Sequence, residues 1–291
     1  MCLLVVTLLT GLPLAGAQPG QVFEPTLNEQ VVFVPLAVAG STGQEVLLLT
    51  ATTYHPQGKG PFPLVVLSHG SPANAAARAR MGRYRVLDRI REFVARGYAV
   101  IVPMRRGYGD TGGDWAERFG PCASADYYQA GRESALDLLA TLEFARKLPY
   151  VRPDRIVLVG QSAGGFASIA TASFGPQGVV AVVNFAGGRG GRGGRYDGEP
   201  CSPDAMAHAI GRFAATIKVP VLWHYAENDR WFGPHHVRAW FEAFERAGAR
   251  GKLVMQPPFG EDGHRIFASP AGRRIWTAEF DRFIHEIGIQ H

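Results

Sequence analysis

A single serine stands between glycines where an apolar run gives way to small residues. Ser162 lies in the segment GQSAG (160–164), directly after the run RIVLVG (155–160). A G-x-S-x-G segment that follows a buried strand and opens a helix holds its serine on a sharp turn, with the hydroxyl exposed. The helix N-terminus then directs backbone N–H groups toward a developing oxyanion. The segment predicts nucleophilic chemistry at Ser162; an ordinary strand-to-helix turn is the plainer interpretation of the same residues.

A serine hydroxyl attacks an acyl carbon when a base removes its proton and an acid orients that base. For a serine on this kind of turn, the expected chain order is serine, acid, histidine. Asp229 ends an apolar run, and His264 lies in the loop between the last predicted strand and the last predicted helix. Both positions belong to the carboxyl edge of a parallel sheet, at which Ser162 also emerges. Glu227 and Asp262 are the two alternative acids.

The oxyanion of an acyl-transfer reaction needs two backbone donors. Ala163 follows the candidate nucleophile directly and supplies the first N–H. In VVLSHGSPAN (65–74), His69 and Gly70 turn the chain after a predicted strand, which brings a following N–H to the same edge. We predict that the N–H of Ser71 is the second donor; a tight glycine turn without this role is the alternative.

The composition is that of a folded chain with an ordinary charge content. Of 291 residues, 46% are hydrophobic and 19% are charged, which suffices for one large core or two small ones. Lys and Arg number 30 against 25 Asp and Glu, but the arginines are scattered among Ala, Gly and Pro. A scattered excess of positive charge predicts no nucleic-acid partner.

Motifs for cofactors and metals are weak or missing. Residues 188–193 fit G-x-G-x-x-G, but no helical pattern opens directly after them, so they do not predict a dinucleotide site. The sequence contains neither C-x-x-C nor H-E-x-x-H, two spacings typical of zinc sites. We therefore expect no metal and no cofactor.

The first seventeen residues, MCLLVVTLLTGLPLAGA, form an apolar run that ends in small residues. The run is too short for a helix across a bilayer of about 30 Å, and its small-x-small ending is typical of a secretory signal cleaved after Ala17. No Lys or Arg precedes the run, which departs from the usual signal. We expect residues 1–17 to direct export to the periplasm or the medium, without stable membrane insertion. Residues 18–291 are expected to form a single domain.

The cysteines are consistent with an oxidising compartment. Cys2 falls within the expected signal, which leaves Cys122 and Cys201 as an even pair in the mature chain. We predict a disulfide between them that fixes two glycine-rich loops above the site; two free buried thiols are the alternative. The second loop carries three arginines that we expect at the entrance: Arg189, Arg192 and Arg195. There they would favour an acidic substrate.

Apolar runs alternate with helical patterns along most of the chain. Many of the runs are apolar at nearly every position, which is typical of strands buried on both faces of a parallel sheet. The predicted strands span residues 30–38, 45–56, 63–70, 97–107, 155–160, 178–188, 219–229 and 252–258. Helices are predicted near 81–96, 125–148, after Ser162, near 234–247 and over 273–287. The first two strands predict an antiparallel start.

Five stretches of the sequence resemble the α/β-hydrolases, and in particular the dienelactone hydrolase-like branch and the catalytic domain of prolyl-oligopeptidase-type enzymes. The stretches are LSHGS, RGYAVIVPMRRGYGDTGG, RIVLVGQSAGG, YAENDRWF and DGH, and the resemblance covers about residues 60–290. It implies an α/β-hydrolase fold, with a mostly parallel sheet of about eight strands, helices on both faces and no large cap domain. Two features depart from these relatives. Position 162 is serine where dienelactone hydrolases use cysteine, and we expect no β-propeller such as prolyl oligopeptidases carry.

The residues and the resemblance together predict an exported serine hydrolase that cleaves a carboxylic ester, of a small molecule or derived from a polymer, through an acyl-enzyme. Ser162 would attack, His264 would move the proton and Asp229 would orient the imidazole. The alternative within the same chemistry is a peptidase or amidase acting on short peptides. The alternative of another class is a non-catalytic binding protein on a hydrolase scaffold. The oligomeric state stays open.

Overall fold

The computed structural model describes residues 23–40, 43–194 and 196–289. Residues 1–17, predicted to be a secretory signal, and Arg195, predicted to lie at the entrance, are outside the described residues. No helix in the described ranges has both the length and the apolar character needed to cross a membrane. The predicted catalytic residues, from Ser71 to His264, all fall within these ranges.

Eight strands form one continuous sheet within the described ranges. In chain order they are β1 (Gln30–Gly40), β2 (Gly43–Tyr54), β3 (Phe62–Ser68), β4 (Ala99–Pro103), β5 (Val151–Gln161), β6 (Val179–Phe185), β7 (Val221–Ala226) and β8 (Gly251–Gln256). Across the sheet their order is β1-β2-β4-β3-β5-β6-β7-β8. The pairs β1–β2 and β2–β4 are antiparallel, and every pair from β3–β4 to β7–β8 is parallel. The predicted antiparallel start and mostly parallel sheet are confirmed.

Helices cover both faces of this sheet. They are α1 (Ala75–Ala79), α2 (Leu87–Ala95), α3 (Tyr127–Ala145), α4 (Ala163–Ala172), α5 (Pro203–Ala214), α6 (Pro234–Arg246) and α7 (Arg273–Glu286). One apolar cluster packs α3, α4, α5 and α6 against the sheet, and a second packs α2 and α7. In β3, Leu64 and Val66 belong to the first cluster, whereas Val65 and Leu67 belong to the second. Because successive side chains of a strand point to opposite faces, a strand covered on both sides is apolar at every position.

The helix predicted near 81–96 begins only at Leu87, so the prediction was wrong for its first turns. Two arginines of the preceding segment bind a carboxylate of the β1 side instead. Arg85 donates from Nε and Nη2 to the carboxylate of Glu29, each at 2.7 Å, and Arg83 Nη1 lies 3.2 Å from the same group. The Glu29 side chain is fully buried, so its charge needs these partners. This long-range ion pair holds the segment in a path without regular secondary structure.

The sheet brings the predicted site residues to one edge. In neighbouring parallel strands, the carboxyl ends lie side by side, and the loops that leave them form a crevice. Ser71 follows β3, Ser162 follows β5 directly, and Asp229 follows β7 by three residues. Since β3, β5, β6 and β7 are consecutive in the sheet, all three residues stand at the same edge.

A disulfide joins Cys122 to Cys201, as predicted from the even pair of cysteines, with 5.3 Å between their Cα atoms. Cys122 lies in the loop between β4 and α3, and Cys201 lies in the loop between β6 and α5. Both loops leave carboxyl ends of strands. The bond therefore ties two walls of the crevice to each other.

We expect Cys122→Ser to lower the free energy of unfolding by about 4 kcal/mol, because the bond closes a loop of 79 residues that is otherwise free in the unfolded chain. In a domain of this size that corresponds to a fall in melting temperature of about 10 °C. Calorimetry of the oxidised wild type, the reduced wild type and the variant measures it. Reduced wild type and variant should melt together; a wild type that melts at one temperature with or without reductant would contradict the prediction.

Candidate active site

The turn at Ser162 holds a backbone conformation that side chains rarely adopt. Between the end of β5 and the start of α4, Ser162 has φ 56° and ψ −124°. Positive φ is costly for a residue with a Cβ and persists only where the surroundings enforce it. Here the Ser162 N–H donates to the carbonyl of Phe185 at 3.0 Å, and the Ser162 carbonyl accepts from the N–H of Gly188 at 3.1 Å. Phe185 ends β6 and Gly188 lies in the loop that follows it, so the neighbouring strand and its loop fix the turn.

The glycines around Ser162 are needed because two backbone segments pass close to them. A Cβ on Gly160 would collide with the carbonyl of Gly164, across the turn itself. A Cβ on Gly164 would collide with the carbonyl of Ser68, at the end of β3. The motif therefore reports close contact between the turn and the next strand, which an ordinary strand-to-helix turn does not require.

Asp229 and His264 form a buried pair. His264 Nδ1 lies 3.0 Å from Asp229 Oδ2 and 3.1 Å from Oδ1, and the two residues are 7% and 3% exposed. Asp229 Oδ1 also accepts from the backbone N–H groups of Trp231 and Phe232, at 2.8 and 3.0 Å. A carboxylate fixed in this way keeps the imidazole proton on Nδ1, which leaves Nε2 free to act as a base.

The two alternative acids are occupied elsewhere. Glu227 pairs with Arg238 at 2.6 Å on the exposed side of the loop. Asp262 Oδ1 accepts from the backbone N–H of His264 at 3.1 Å, and its other oxygen lies 3.3 Å from Arg192. Asp262 therefore shapes the turn that carries His264, whereas the ring of His264 is hydrogen-bonded to Asp229. Of the three candidates, the structure brings Asp229 to the imidazole.

The turn that bears His264 is anchored next to the nucleophile. His264 lies in a short 3₁₀ turn, Gly263–Arg265, and its carbonyl accepts from Gln161 Nε2 at 3.2 Å. Gln161 directly precedes Ser162 in the chain. Trp231 stacks on the imidazole with 5.2 Å between ring centroids. These contacts fix the position and the orientation of the imidazole ring relative to Ser162.

The loop after β3 passes beside the serine. A Cβ on Gly70 would lie 3.4 Å from Ser162 Cβ and 4.0 Å from its Oγ. Ser71 and Ala163, the predicted oxyanion donors, line the same cavity as Ser162. Their placement agrees with the predicted role, which stays a prediction.

This cavity has a volume of about 150 Å³. Its walls come from the loops after β3, β4, β6 and β7. The aromatic and cationic residues that line it are Arg78, Trp115, Phe119, Arg189, Trp231 and Phe232. A larger cavity of about 620 Å³, formed mainly by the loops after β6 and β7, also reaches Asp229, but neither Ser162 nor His264 lines it. Within the described residues, no group of His, Cys, Asp and Glu has an arrangement that would hold a metal ion.

The arginines expected at the entrance are not free. Arg189 is 4% exposed and pairs with Glu117. Arg192 lies 3.3 Å from Asp262 and stands over the ring of Trp231. Arg189 lines the cavity at Ser162, and carboxylates of neighbouring loops pair with both arginines. That they favour an acidic substrate stays a prediction.

Residues 45–207 match the sequence model of a family described as X-Pro dipeptidyl-peptidase, S15 family. This stretch is more than half of the chain. The chain belongs to the S15 family. With the α/β-hydrolase sheet and the serine turn described above, it is a serine hydrolase.

Two curated proteins resemble this S15-family chain over shorter stretches. Dipeptidyl-peptidase 5 of Porphyromonas gingivalis is 33% identical over 106 residues, which are 36% of this chain and 14% of that protein. The quorum-quenching protein AidA of Acinetobacter baumannii is 30% identical over 124 residues, 43% of this chain and 35% of that protein. In both cases the matched stretch is a minor part of the relative.

Solved structures extend the likeness over most of the chain. An esterase of Pyrococcus furiosus superposes with a TM-score of 0.57 at 14% identity, over 88% of this chain and 90% of that one. An acylaminoacyl peptidase of Pyrococcus horikoshii gives a TM-score of 0.60 at 18% identity, over 87% of this chain and 41% of that one. At these identities the likeness concerns the fold alone, and it confirms the α/β-hydrolase architecture.

Sequence reasoning placed His69 in the turn after β3 but missed that its buried side chain shapes this loop. His69 is fully buried, and its Nε2 accepts from the backbone N–H of Arg105 at 3.2 Å. Its other nitrogen, Nδ1, therefore carries the proton and donates to the carbonyl of Gly70 at 2.7 Å. Burial, together with the cation of Arg105, lowers the pKa of His69 to about 3. A neutral imidazole thus sets the course of the loop that leads to Ser71.

Sequence reasoning also missed the ion-pair network behind this loop. Glu117, fully buried, pairs with both Arg105 and Arg189 and accepts from Tyr108 Oη at 2.7 Å. Burial alone would raise the pKa of Glu117, but the two guanidinium groups outweigh it and hold the pKa below its usual range. Arg105 also donates to the carbonyl of His69 at 2.9 Å. No local pattern signals these contacts, since they join loops that follow three different strands.

We expect Glu117→Gln to lower the free energy of unfolding by about 3–5 kcal/mol, because it leaves two buried guanidinium groups without their counter-charge. Urea denaturation at neutral pH measures it. Glu143→Gln is the matched control, since Glu143 is exposed and pairs with Arg146 one helical turn away; it should change stability by less than about 0.5 kcal/mol. Equal effects of the two substitutions would contradict the structural importance of Glu117.

Proposed function

We propose that this serine hydrolase is exported and cleaves a carboxylic ester through an acyl-enzyme intermediate. The observation that carries the proposal is the buried Asp229–His264 pair, which is anchored through Gln161 beside a serine held at positive φ. An orienting acid, a base with one free nitrogen and a serine on a strained turn are the parts that nucleophilic acyl transfer needs.

In the first half-reaction, Ser162 Oγ attacks the ester carbonyl while its proton moves to His264 Nε2. The carbonyl oxygen becomes an oxyanion, which the N–H groups of Ser71 and Ala163 would stabilise. Asp229 stabilises the imidazolium that forms. When the tetrahedral intermediate collapses, His264 returns the proton to the alcohol oxygen, and the acyl group stays on Ser162.

In the second half-reaction, water repeats the sequence. His264 Nε2 takes a proton from the water as its oxygen attacks the acyl carbon, and the same donors hold the second oxyanion. Collapse of this intermediate breaks the bond to Ser162 Oγ, which recovers its proton from the imidazolium. The carboxylic acid leaves and the free enzyme is restored.

The dimensions of the cavity favour a small acyl group. Sites for drug-sized ligands have volumes of roughly 300–1,000 Å³, whereas the cavity at Ser162 has about 150 Å³. Its walls include the rings of Trp115, Phe119 and Trp231. A short acyl chain fits such a space better than a dipeptidyl group.

A peptidase or amidase is the second candidate, and the family match favours it, since the family is described by its X-Pro dipeptidyl-peptidases. The likeness to dipeptidyl-peptidase 5 points the same way. The same catalytic residues serve esters and amides, so substrates must decide. A non-catalytic binding protein is the third candidate, and the intact Ser162, Asp229 and His264 argue against it.

Export rests on two observations. The chain begins with an apolar run that ends in Ala15-Gly16-Ala17, and the domain contains a disulfide between Cys122 and Cys201. Disulfides persist in oxidising compartments and are rare in the cytosol of most organisms. The first observation supports cleavage near Ala17, and both support passage to the periplasm or the medium.

We expect Ser162→Ala and His264→Ala each to lower kcat on short-chain nitrophenyl esters by about 10⁶-fold, and the double variant to lose no more, because the residues act as a unit. The measurement is kcat on an ester panel beside an aminoacyl-anilide panel, with fluorophosphonate labelling as a direct test of Ser162. Faster turnover of the anilides would favour the peptidase. An unlabelled wild type without turnover on either panel would favour the binding protein.

We expect Asp229→Asn to keep the fold and to lower kcat by about 10⁴-fold, because the imidazole loses its oriented tautomer. Asp262→Asn and Glu227→Gln are the matched controls; each should retain most of the turnover. Circular dichroism checks the fold of each variant. If one of the two controls causes the larger loss, the acid has been assigned to the wrong carboxylate.

A further inference from the structure

Arg78 stands at the wall of the catalytic cavity and forms no ion pair with any described carboxylate. It lies on α1 and lines the cavity together with Ser162. Its guanidinium carbon stands 3.6 Å from the ring centroid of Trp115, which covers one face of the group. In the ranges that the structure describes, no carboxylate oxygen comes within 4.0 Å of it. Stacking occupies the face of a guanidinium and leaves its edge, with the N–H donors, available to an acceptor.

The charges around Arg78 do not balance. The buried Glu117 already pairs with both Arg105 and Arg189. Among the described residues it forms no ion pair with Arg78, so these three guanidinium groups have one paired carboxylate between them. In addition, Nε of Arg189 is buried and has no hydrogen-bond partner among the described groups, and Arg189 also lines the cavity.

The ionisation of Arg78 reflects its burial. Burial lowers the pKa of its guanidinium, Tyr108 and Glu117 act in the opposite direction, and the cations of Arg189 and Arg118 add to the lowering. A positive charge that is partly desolvated and surrounded by like charges gains more from an incoming anion than an exposed one does.

We propose that Arg78 binds an ionised carboxylate on the substrate, so that the preferred substrates are esters that carry a second, free acid group. The inference rests on the proposed function, because it assigns the substrate class of the same site. A carboxylate accepts two parallel hydrogen bonds from the edge of a guanidinium, which fixes its direction as well as its distance. The cavity is small, so only a few methylene groups separate this acid from the carbonyl at Ser162.

The same charge excess disfavours the opposite kind of substrate. A dipeptide with a free amino terminus would bring an ammonium group to a wall that already holds Arg78 and Arg189. Like charges in a partly desolvated site repel strongly. Arg78 and Arg189 therefore favour an ester that carries a free acid and disfavour a dipeptide that carries a free amino group.

The test compares two esters that differ only in charge. Monoethyl glutarate carries a carboxylate at the far end of its acyl chain, and the ethyl ester of glutaramic acid carries a neutral amide of the same shape. For the wild type we expect kcat/KM to be about 10- to 100-fold higher for the glutarate ester, the range of a charge-assisted hydrogen bond. Salt should reduce this ratio, because the interaction is between charges.

Arg78→Gln should bring the ratio of the two esters to near one. Arg132→Gln is the matched control: Arg132 also stands over aromatic rings, those of Tyr128 and Phe174, but does not line the cavity. It should keep the full preference. Binding is measured independently of turnover. Free glutarate should protect Ser162 against labelling by a fluorophosphonate, and Arg78→Gln should weaken this protection.

The outcomes separate this inference from the proposed function. Hydrolysis of the neutral ester with a wild-type ratio near one, or a preference that persists in Arg78→Gln, would overturn the role of Arg78 and leave the esterase proposal intact. Failure of the fluorophosphonate to label Ser162 would overturn both. Protection by glutarate without ester turnover would keep the anion site and reject the esterase.

Discussion

One buried carboxylate holds the loops of this site together. Glu117 comes from the loop after β4 and pairs with Arg105 of the same loop and with Arg189 of the loop after β6. Arg105 in turn binds the carbonyl and the imidazole of His69, after β3. Three of the loops at the carboxyl edge therefore share one electrostatic centre. A buried charge tolerates neither the loss of a partner nor much displacement, and the disulfide at Cys122 adds a covalent tie between two of the same loops.

Much of the fold and of the site follows from the sequence, for physical reasons. The strands of a sheet covered on both faces are apolar throughout, so their number and most of their positions were predicted. The GQSAG segment identifies the turn at Ser162 because close backbone contact demands glycine there. The chain order and the positions of the strand ends then identified His264 as the candidate base and Asp229 as the first candidate acid. Glu227 and Asp262 remained as alternative acids. The structure adds the distances that distinguish Asp229 from Glu227 and Asp262.

The remaining features depend on contacts between distant parts of the chain. The segment before α2 has a helical pattern but forms no regular secondary structure, since Arg85 binds Glu29 across 56 positions of sequence. The partners of Arg189 and Arg192 were likewise invisible, because each arginine finds its carboxylate on another loop. The sequence placed these arginines near the site but gave no sign of the carboxylates that pair with them. Only the three-dimensional arrangement distinguishes an arginine that is paired with a carboxylate from one that is not.

The neutral histidine in the loop after β3 couples the fold to acidity. The folded protein holds the pKa of His69 at about 3, whereas an unfolded chain binds a proton on histidine near pH 6.5. Between these values the unfolded state takes up a proton that the folded state does not. The free energy of unfolding therefore falls as the pH decreases through this interval, by up to about 1.4 kcal/mol per pH unit from this one group. The imidazole that shapes the loop before Ser71 thus makes the folded protein less stable as the pH falls.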